Sequence, residues 1–548
     1  MDLNGIWDFA FFPDRSLEEI EPEKVVFTGV MPVPGCYEEF TSFRRGTGVY
    51  FRTFELEKEE LRPVLRVEGA GQRVRFFLDG KTIMDFPPFP YSVMEKELPP
   101  LREGVHEIAA LVDNRFDPEK LKLVRPDFDF FAFGGFFHGI TLLFRTAPYS
   151  LDRVKVTPLD HRSGTVELDF VFSGNVPEKV ELEYGFDGGK MTKVLLSPGE
   201  KIRCSVPDFK LWSPESPFLH TLSCLCNGKK IRESFGIRTL EVRGKDLLLN
   251  GKRLFLKGFN RHDSCPVSGA AVPADVMMLD LVHLKEMGCN FVRGAHYKQS
   301  GTFLELCDRM GILVWEESFG WQYRARELSD PAFRDLVLEQ TRMMVEEDFN
   351  HPSVIFWAFM NEFHSGSREG RIMTESLCSM IREKDPSRLV TFACSWIRED
   401  ICCDLCDVIA FNTYPGWNEV SPDEPVQLLE EDLDGIIAFF RGKYPDKPLM
   451  VAEMGLCAEY GRRDPYAAQW TEEFQAEFYS AVIRKIASSG EFCGLTFWQL
   501  NDARSYLRKG APLRVKPFGM NLAGVYDIYR RPKLAASAVG ALFREMKF

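Results

Sequence analysis

The sequence predicts two antiparallel β-sandwiches followed by a closed (β/α)8 barrel. Three observations carry this. Residues 1–146 hold short runs rich in Val and Phe, parted by Gly and Pro turns. Residues 147–243 repeat that texture on a smaller scale. From about Gly244 to the C-terminus at 548, eight apolar runs alternate with helix-period segments.

The elements follow in order. VYFRTFEL, VLRVEGA, RVRFFLDG, HEIAALVDN and ITLLFRT read as strands of the first sandwich. RVKVTPL, TVELDFVF, KVELEYGF, KIRCSVP, HTLSCLCNG and IRESFGIRTLEV supply the second, whose length and strand spacing suit an immunoglobulin-like domain. The barrel strands are LFLKGFN, NFVRGAH, ILVWEE, VIFWAFMNE, LVTFACSW, VIAFNTY, LMVAEMG and GLTFWQL. Their continuous apolar character is that of parallel strands buried on both faces. Between them lie helical segments such as PADVMMLDLVHLKEMG, which opens on a first-turn proline and stops at glycine. KLAASAVGALFREM closes the chain as a last helix, and ICCDLC is a short connection between the fifth and sixth runs.

Composition narrows the function. A chain of 548 residues exceeds a single core. A net charge of −13 argues against nucleic acid or an anionic membrane as partner. The start, MDLNGIWDFAFFPDR, lacks the basic segment of a signal peptide, and no run is long enough to span a bilayer. The 14 cysteines are scattered through apolar stretches, as at Cys289, Cys307, Cys378 and Cys493, which suits free thiols in a reducing cytoplasm. The cluster Cys402, Cys403, Cys406 lacks a second ligand group nearby, so zinc is not expected there.

Two carboxylates point to chemistry. Glu362 ends the run VIFWAFMNE and Glu453 lies in PLMVAEMG. A charge where a buried strand meets its loop is costly unless it is used. In a β/α barrel such strand ends face the active-site mouth. A lone Glu is more often solvated, but these two stand 91 residues apart (362 to 453), about three β/α units, and can face each other. Paired carboxylates across a mouth are the requirement of glycoside hydrolysis, which needs no metal or organic cofactor. The other strand ends add Arg261, His262 and Asp263; Arg293 and His296; Asn412 and Tyr414; Trp498, Asn501 and Asp502. Hydroxyls of a sugar need such polar partners, and its apolar face needs a ring. Arg293 is placed to pair with a carboxylate nucleophile. Trp321 and Tyr323, in SFGWQYRARELSD, are candidate stacking rings at the entrance.

NHPSVIFWAFMNE (350–362), NFVRGAHY (290–297) and GFNRHD (258–263) resemble the signatures of glycoside hydrolase family 2, and within it those of the bacterial β-glucuronidases. Lys298 stands where a proline is usual. The resemblance covers the whole chain and implies a jelly-roll, sugar-binding-like sandwich over 1–146, an immunoglobulin-like sandwich over 147–243 and a catalytic barrel over 244–548. It implies Glu362 as acid/base, Glu453 as nucleophile and Asn361 on the sugar 2-hydroxyl. It implies Asp129, from DFDFFAFGG, reaching the barrel mouth, and His262, His296, Tyr414 and Trp498 lining the pocket. Relatives commonly assemble, so a homo-oligomer acting on a small β-glycoside or oligosaccharide is expected.

One departure bears on the sugar. The family's uronate-binding Asn-x-Lys motif falls on RVKPFGMNLAG (514–524), where Asn521 and Arg514 remain but Ala523 replaces the lysine. Asn418 stands where a tyrosine is usual. A retaining exo-β-glycosidase acting on a neutral hexoside such as a β-galactoside is therefore expected. The alternative is a β-hexuronidase using Arg514 and Lys516 for the carboxylate. An inactive carbohydrate-binding protein is disfavoured by the two intact glutamates. A metal-dependent hydrolase built on His262, Asp263 and His296 is disfavoured by their spacing.

Overall fold

The computed structural model describes residues 1–545 except 88, 118, 127, 418–424 and 507–515. It is a multidomain chain of two antiparallel sandwich regions and a parallel barrel. In the first region a six-stranded sheet runs in the order Gly29–Val33, Gly5–Pro13, Gly46–Leu56, Gly104–Asp113, Arg73–Leu78, Lys81–Asp85. A three-stranded sheet of Ile140–Phe144, Pro63–Val67 and Met94–Glu97 completes it. Trp7, Tyr50, Phe76 and Phe136 are buried in the shared core. The sequence reading missed Gly5–Pro13, Gly29–Val33, Lys81–Asp85 and Met94–Glu97. Three of these are edge strands, whose polar, half-exposed residues carry little apolar signal.

The second region pairs Tyr149–Asp160, Thr165–Gly174 and Ile202–Ser205 against Thr192–Leu196, Val180–Phe186, His220–Cys226 and Lys229–Phe235. IRESFGIRTLEV, expected as one strand, breaks after Phe235 and resumes at Leu240–Arg243 in a separate small sheet. The break has a cause. A Cβ on Gly236 would lie 2.6 Å from the Pro352 side chain, so the chain here presses on the barrel. The buried Arg238 then donates to the carbonyls of Pro352 (2.7 Å) and Val354 (2.6 Å).

The barrel strands are Leu256–Arg261, Phe291–Gly294, Leu313–Trp321, Val354–Asn361, Leu389–Thr391 with Ala393–Cys394, Ile409–Asn412, Leu449–Glu453 and Phe492–Phe497. Every neighbouring pair is parallel, and Leu256 pairs with Gly494 to join the eighth to the first. The fifth strand is in two pieces. Leu389–Thr391 pairs with strand four and Ala393–Cys394 with strand six, so the barrel passes around through Phe392. Strands three, four, seven and eight are buried at every residue, as the unbroken apolar runs require.

Helices fill the connections where the sequence signals place them. Ser300 and Asp330 accept N-cap hydrogen bonds from Phe303 and Ala332, and Thr471 from Phe474. Each such cap contributes about 1 kcal/mol. Gly311 and Gly490 end their helices at φ 71° and 62°, the left-handed region that favours glycine. Between strands five and six there is only a 3₁₀ turn, Cys403–Leu405. Among the described residues no helix is long and apolar enough to cross a membrane. All fourteen cysteines are free thiols, and only Cys204, Cys265 and Cys457 are not fully buried.

Candidate active site

Because the eight strands are parallel, their C-terminal ends form one rim, and the two glutamates stand on it. Glu362 follows strand four in the left-handed region, φ 53°. A non-glycine residue held there costs on the order of 1–3 kcal/mol and persists only if its surroundings dictate it. They do. Its N–H donates to Ala393 O (3.0 Å), Asn412 Nδ2 donates to one carboxyl oxygen (3.0 Å) and Gln322 Nε2 to the other (2.8 Å). Burial, and then the charge of Glu453, raise the Glu362 pKa above the ordinary carboxylate value.

Glu453 ends strand seven. Arg293 donates to one of its oxygens and Tyr414 Oη to the other, at 2.6 Å. The Arg293 guanidinium is fully buried and also donates to Glu317 (2.7 Å), Asn361 Oδ1 (2.9 Å) and Asn260 Oδ1 (2.8 Å). Burial works against its charge, but Glu317 and Glu453 outweigh burial and raise its pKa. Glu317 was missed in the sequence, although it carries the same signal as Glu362, a carboxylate at the end of an apolar run. Burial opposes its ionisation, yet Arg293 and His296 hold its pKa low. It also accepts from Trp315 Nε1 (2.8 Å), so it fixes Arg293 in place beneath the mouth.

The remaining rim residues gather around this pair. His296 packs flat on Trp498, with ring centres 5.3 Å apart, and His262 meets Trp498 edge-on at 5.2 Å. Burial, then the charges of His296, Lys516 and Arg293, push the His262 pKa well below its usual value, which keeps the ring neutral at pH 7. His262 Nε2, Asn361 Nδ2 and Asn412 Oδ1 are buried polar atoms without a protein partner. Such atoms are costly unless something else bonds them, and sugar hydroxyls are suited to do so.

The first sandwich contributes a wall. Phe130 packs against His262, His296, Tyr297 and Phe319. Asp129 beside it accepts from Lys516 Nζ (2.9 Å), and Asn521 Nδ2 lies 3.5 Å from the same oxygen.

Other candidates lie elsewhere. Arg261 and Asp263 form a buried ion pair that continues to Asp280, below the mouth. Asn501 donates to Asp280, and Asp502 pairs with Lys533, so both brace the barrel. His262 Nδ1 faces Tyr297 Oη (3.1 Å), so His262, Asp263 and His296 do not converge on a point. Trp321 and Tyr323 are buried, Tyr323 Oη bonding Leu123 O (2.8 Å); they pack the core instead of lining an entrance, because strand three runs on to Trp321. Gln322 between them faces Glu362. Arg514 and Asn418 lie outside the described residues.

Gln322 and Asn412 donate to the carboxylate form of Glu362 and so pull its pKa down against burial. Gln322→Leu is expected to let that pKa rise, and the alkaline limb of kcat/KM should move to higher pH. A limb that stays in place or moves to lower pH excludes Glu362 as the group whose protonation sets it.

Residues 240–494 match the family model described as glycosyl hydrolases family 2, TIM barrel domain. A β-glucuronidase of Streptococcus agalactiae is 26% identical, the match covering 97% of this chain and 94% of that protein. A β-galactosidase of Actinobacillus pleuropneumoniae is 26% identical over 72% of this chain and 44% of its own length. The crystal structure of a family 2 β-galacturonidase from Eisenbergiella tayi, bound to galacturonate, superposes with a TM-score of 0.89 at 28% identity, covering 100% of this chain and 97% of that one. Whole-length likeness in sequence and fold, with residues 240–494 matching the family 2 barrel model, marks this chain as an O-glycosyl hydrolase similar to glycoside hydrolase family 2.

Proposed function

We propose that the protein is a retaining exo-β-hexuronidase. In this reading Glu453 attacks the anomeric carbon while Glu362 protonates the departing oxygen. Glu362, now ionised, then takes a proton from water as that water displaces Glu453. The raised pKa of Glu362 suits the first role, and the fixed charge of Arg293 beside Glu453 suits the nucleophile. Asn412 bonds Glu362 and lies opposite Glu453 in the parallel register, which supports a close, retaining pair.

The observation that carries the choice of sugar is Lys516. Its ammonium is buried, stands 2.9 Å from Asp129 Oδ2 beside Asn521, and lies 5.5 Å from the centre of the Trp417 ring. It acts on His262 as a positive charge, so it belongs to the sugar end of the pocket. A cation there replaces the lysine missing at Ala523, whose side chain is buried in an apolar cluster with Ala295 and Trp498. The neutral hexoside expected from Ala523 is thus the weaker reading, and the uronide-cleaving relatives support the stronger one.

Lys516→Ala should lower kcat/KM for aryl β-glucuronide and β-galacturonide by roughly 10- to 150-fold, the worth of one charged hydrogen bond. The same variant should leave the corresponding neutral glycosides nearly unchanged. Wild-type preference for β-galactoside over both uronides, on one aglycone, would reinstate the neutral reading. A product formed as the α-anomer would refute retention.

A further inference from the structure

Behind the acid/base, strand five and the loop after it bring together a set of donors that the glycosidase reaction does not use. Cys394 Sγ, Cys403 Sγ and an Asp400 carboxylate oxygen all lie within 4.8 Å of one another, and all three residues are about 1% exposed. In sequence, Asp400 lies three residues before Cys403, and Cys394 lies nine before it. The loop after strand five turns Asp400 and Cys403 back onto Cys394 at the end of the strand.

Asp400 carries the argument. Its Oδ1 accepts from the backbone N–H groups of Cys402 (3.0 Å) and Cys403 (2.8 Å), and its Oδ2 faces Cys394 Sγ at 3.6 Å. Among the described residues no Lys, Arg or His side chain pairs with this carboxylate. The cations nearby are spent on main chain: Lys443 on Asp400 O (2.7 Å), and Lys447 on the carbonyls of Cys403 (3.0 Å), Asp404 (2.7 Å) and Cys406 (2.5 Å). A buried carboxylate without a counter-charge is expensive, and a bound cation is one of the ways proteins neutralise it.

Two thiols and a carboxylate select a thiophilic divalent ion. With metal–sulfur bonds of about 2.3 Å and metal–oxygen bonds of about 2.1 Å, a tetrahedral site has sulfur–oxygen edges of roughly 3.6 Å. The Cys394–Asp400 edge has that length. Ser365 Oγ, fully buried, lies 3.5 Å from Cys394 Sγ.

We propose that Cys394, Asp400 and Cys403 form a structural binding site for zinc or a similar thiophilic divalent cation. Binding forms two thiolate–metal bonds and one carboxylate–metal bond and releases the two thiol protons to solvent, with no change of oxidation state. Such an ion would brace strand five, whose Ala393 carbonyl holds the Glu362 N–H.

Cadmium ion added to the full-length protein, reduced and stripped with chelator, tests this. A thiolate-to-cadmium charge-transfer band should saturate at one ion per chain and raise the thermal midpoint. Cys394→Ser and Cys403→Ser should each lose most of the band. Asp400→Asn, which keeps both thiols, should bind at least tenfold more weakly. Cys378→Ser, which removes a buried thiol hydrogen-bonded to Cys406 outside the proposed site, should leave the band intact. Absence of the band in the wild type overturns the proposal without recourse to any variant. So does a band that survives Cys403→Ser or depends on Cys378.

Discussion

Glu453→Gln is expected to lower kcat on aryl β-glycosides by on the order of 10⁶-fold, the scale of removing a catalytic nucleophile. The amide is nearly isosteric but neutral, so it cannot form the glycosyl ester. The fold should survive, because Arg293 keeps its ion pair with Glu317 and its bonds to Asn260 and Asn361. Circular dichroism and thermal unfolding close to wild type would establish that. A mechanism-based fluoro-sugar given to the wild-type enzyme should label Glu453, as read by peptide mapping. Label on Glu317 or any other carboxylate would overturn the assignment.

Glu362→Ala should behave differently. General acid catalysis contributes about 10²–10⁴-fold, and most of it is needed when the leaving group is poor. Substrates with acidic phenols should therefore lose least in the first step and accumulate a glycosyl-enzyme, because the base for the second step is gone. Azide should enter the space left by the side chain, restore turnover and yield the β-azide. An equal loss across all leaving groups, with no rescue, would show that Glu362 neither protonates nor deprotonates. The two variants separate the partners: only Glu453→Gln should resist azide.

The barrel was legible because its strands are buried on both faces and need no alternation to be seen; VIFWAFM and LMVA are apolar without interruption. The sandwiches were less so. Gly29–Val33 and Met94–Glu97 are held by main-chain pairing at sheet edges, and side-chain pattern reports main-chain pairing poorly. The candidate site divides the same way. The rim positions of Glu362 and Glu453 could be read from sequence alone. Glu317 could have been, by the same rule. Gln322 could not: it faces the mouth because strand three extends to Trp321 and turns there at φ 51°. Lys516 was weighed only as a cation near a lost motif, since its pairing with Asp129 joins residues 387 apart in sequence. Asp400 and Cys394 are six residues apart, but the break in strand five decides that they meet, and no local propensity encodes it.

The aromatic wall donated by the first sandwich has a consequence during synthesis. Phe128 and Phe130 are buried, yet the rings they pack on include Phe319, Trp321 and Tyr323, and His262, His296 and Tyr297. Phe131 stacks on Tyr506. At about 5–20 residues per second, the ribosome makes residue 130 roughly 10–40 s before residue 319. Through that interval the stretch FDFFAFGGFF has its strand neighbours but not its cover, and it is a row of phenylalanines with little charge. The nascent sandwich is thus a binding surface in waiting, for the barrel still to come or for a chaperone or another nascent chain that reaches it first.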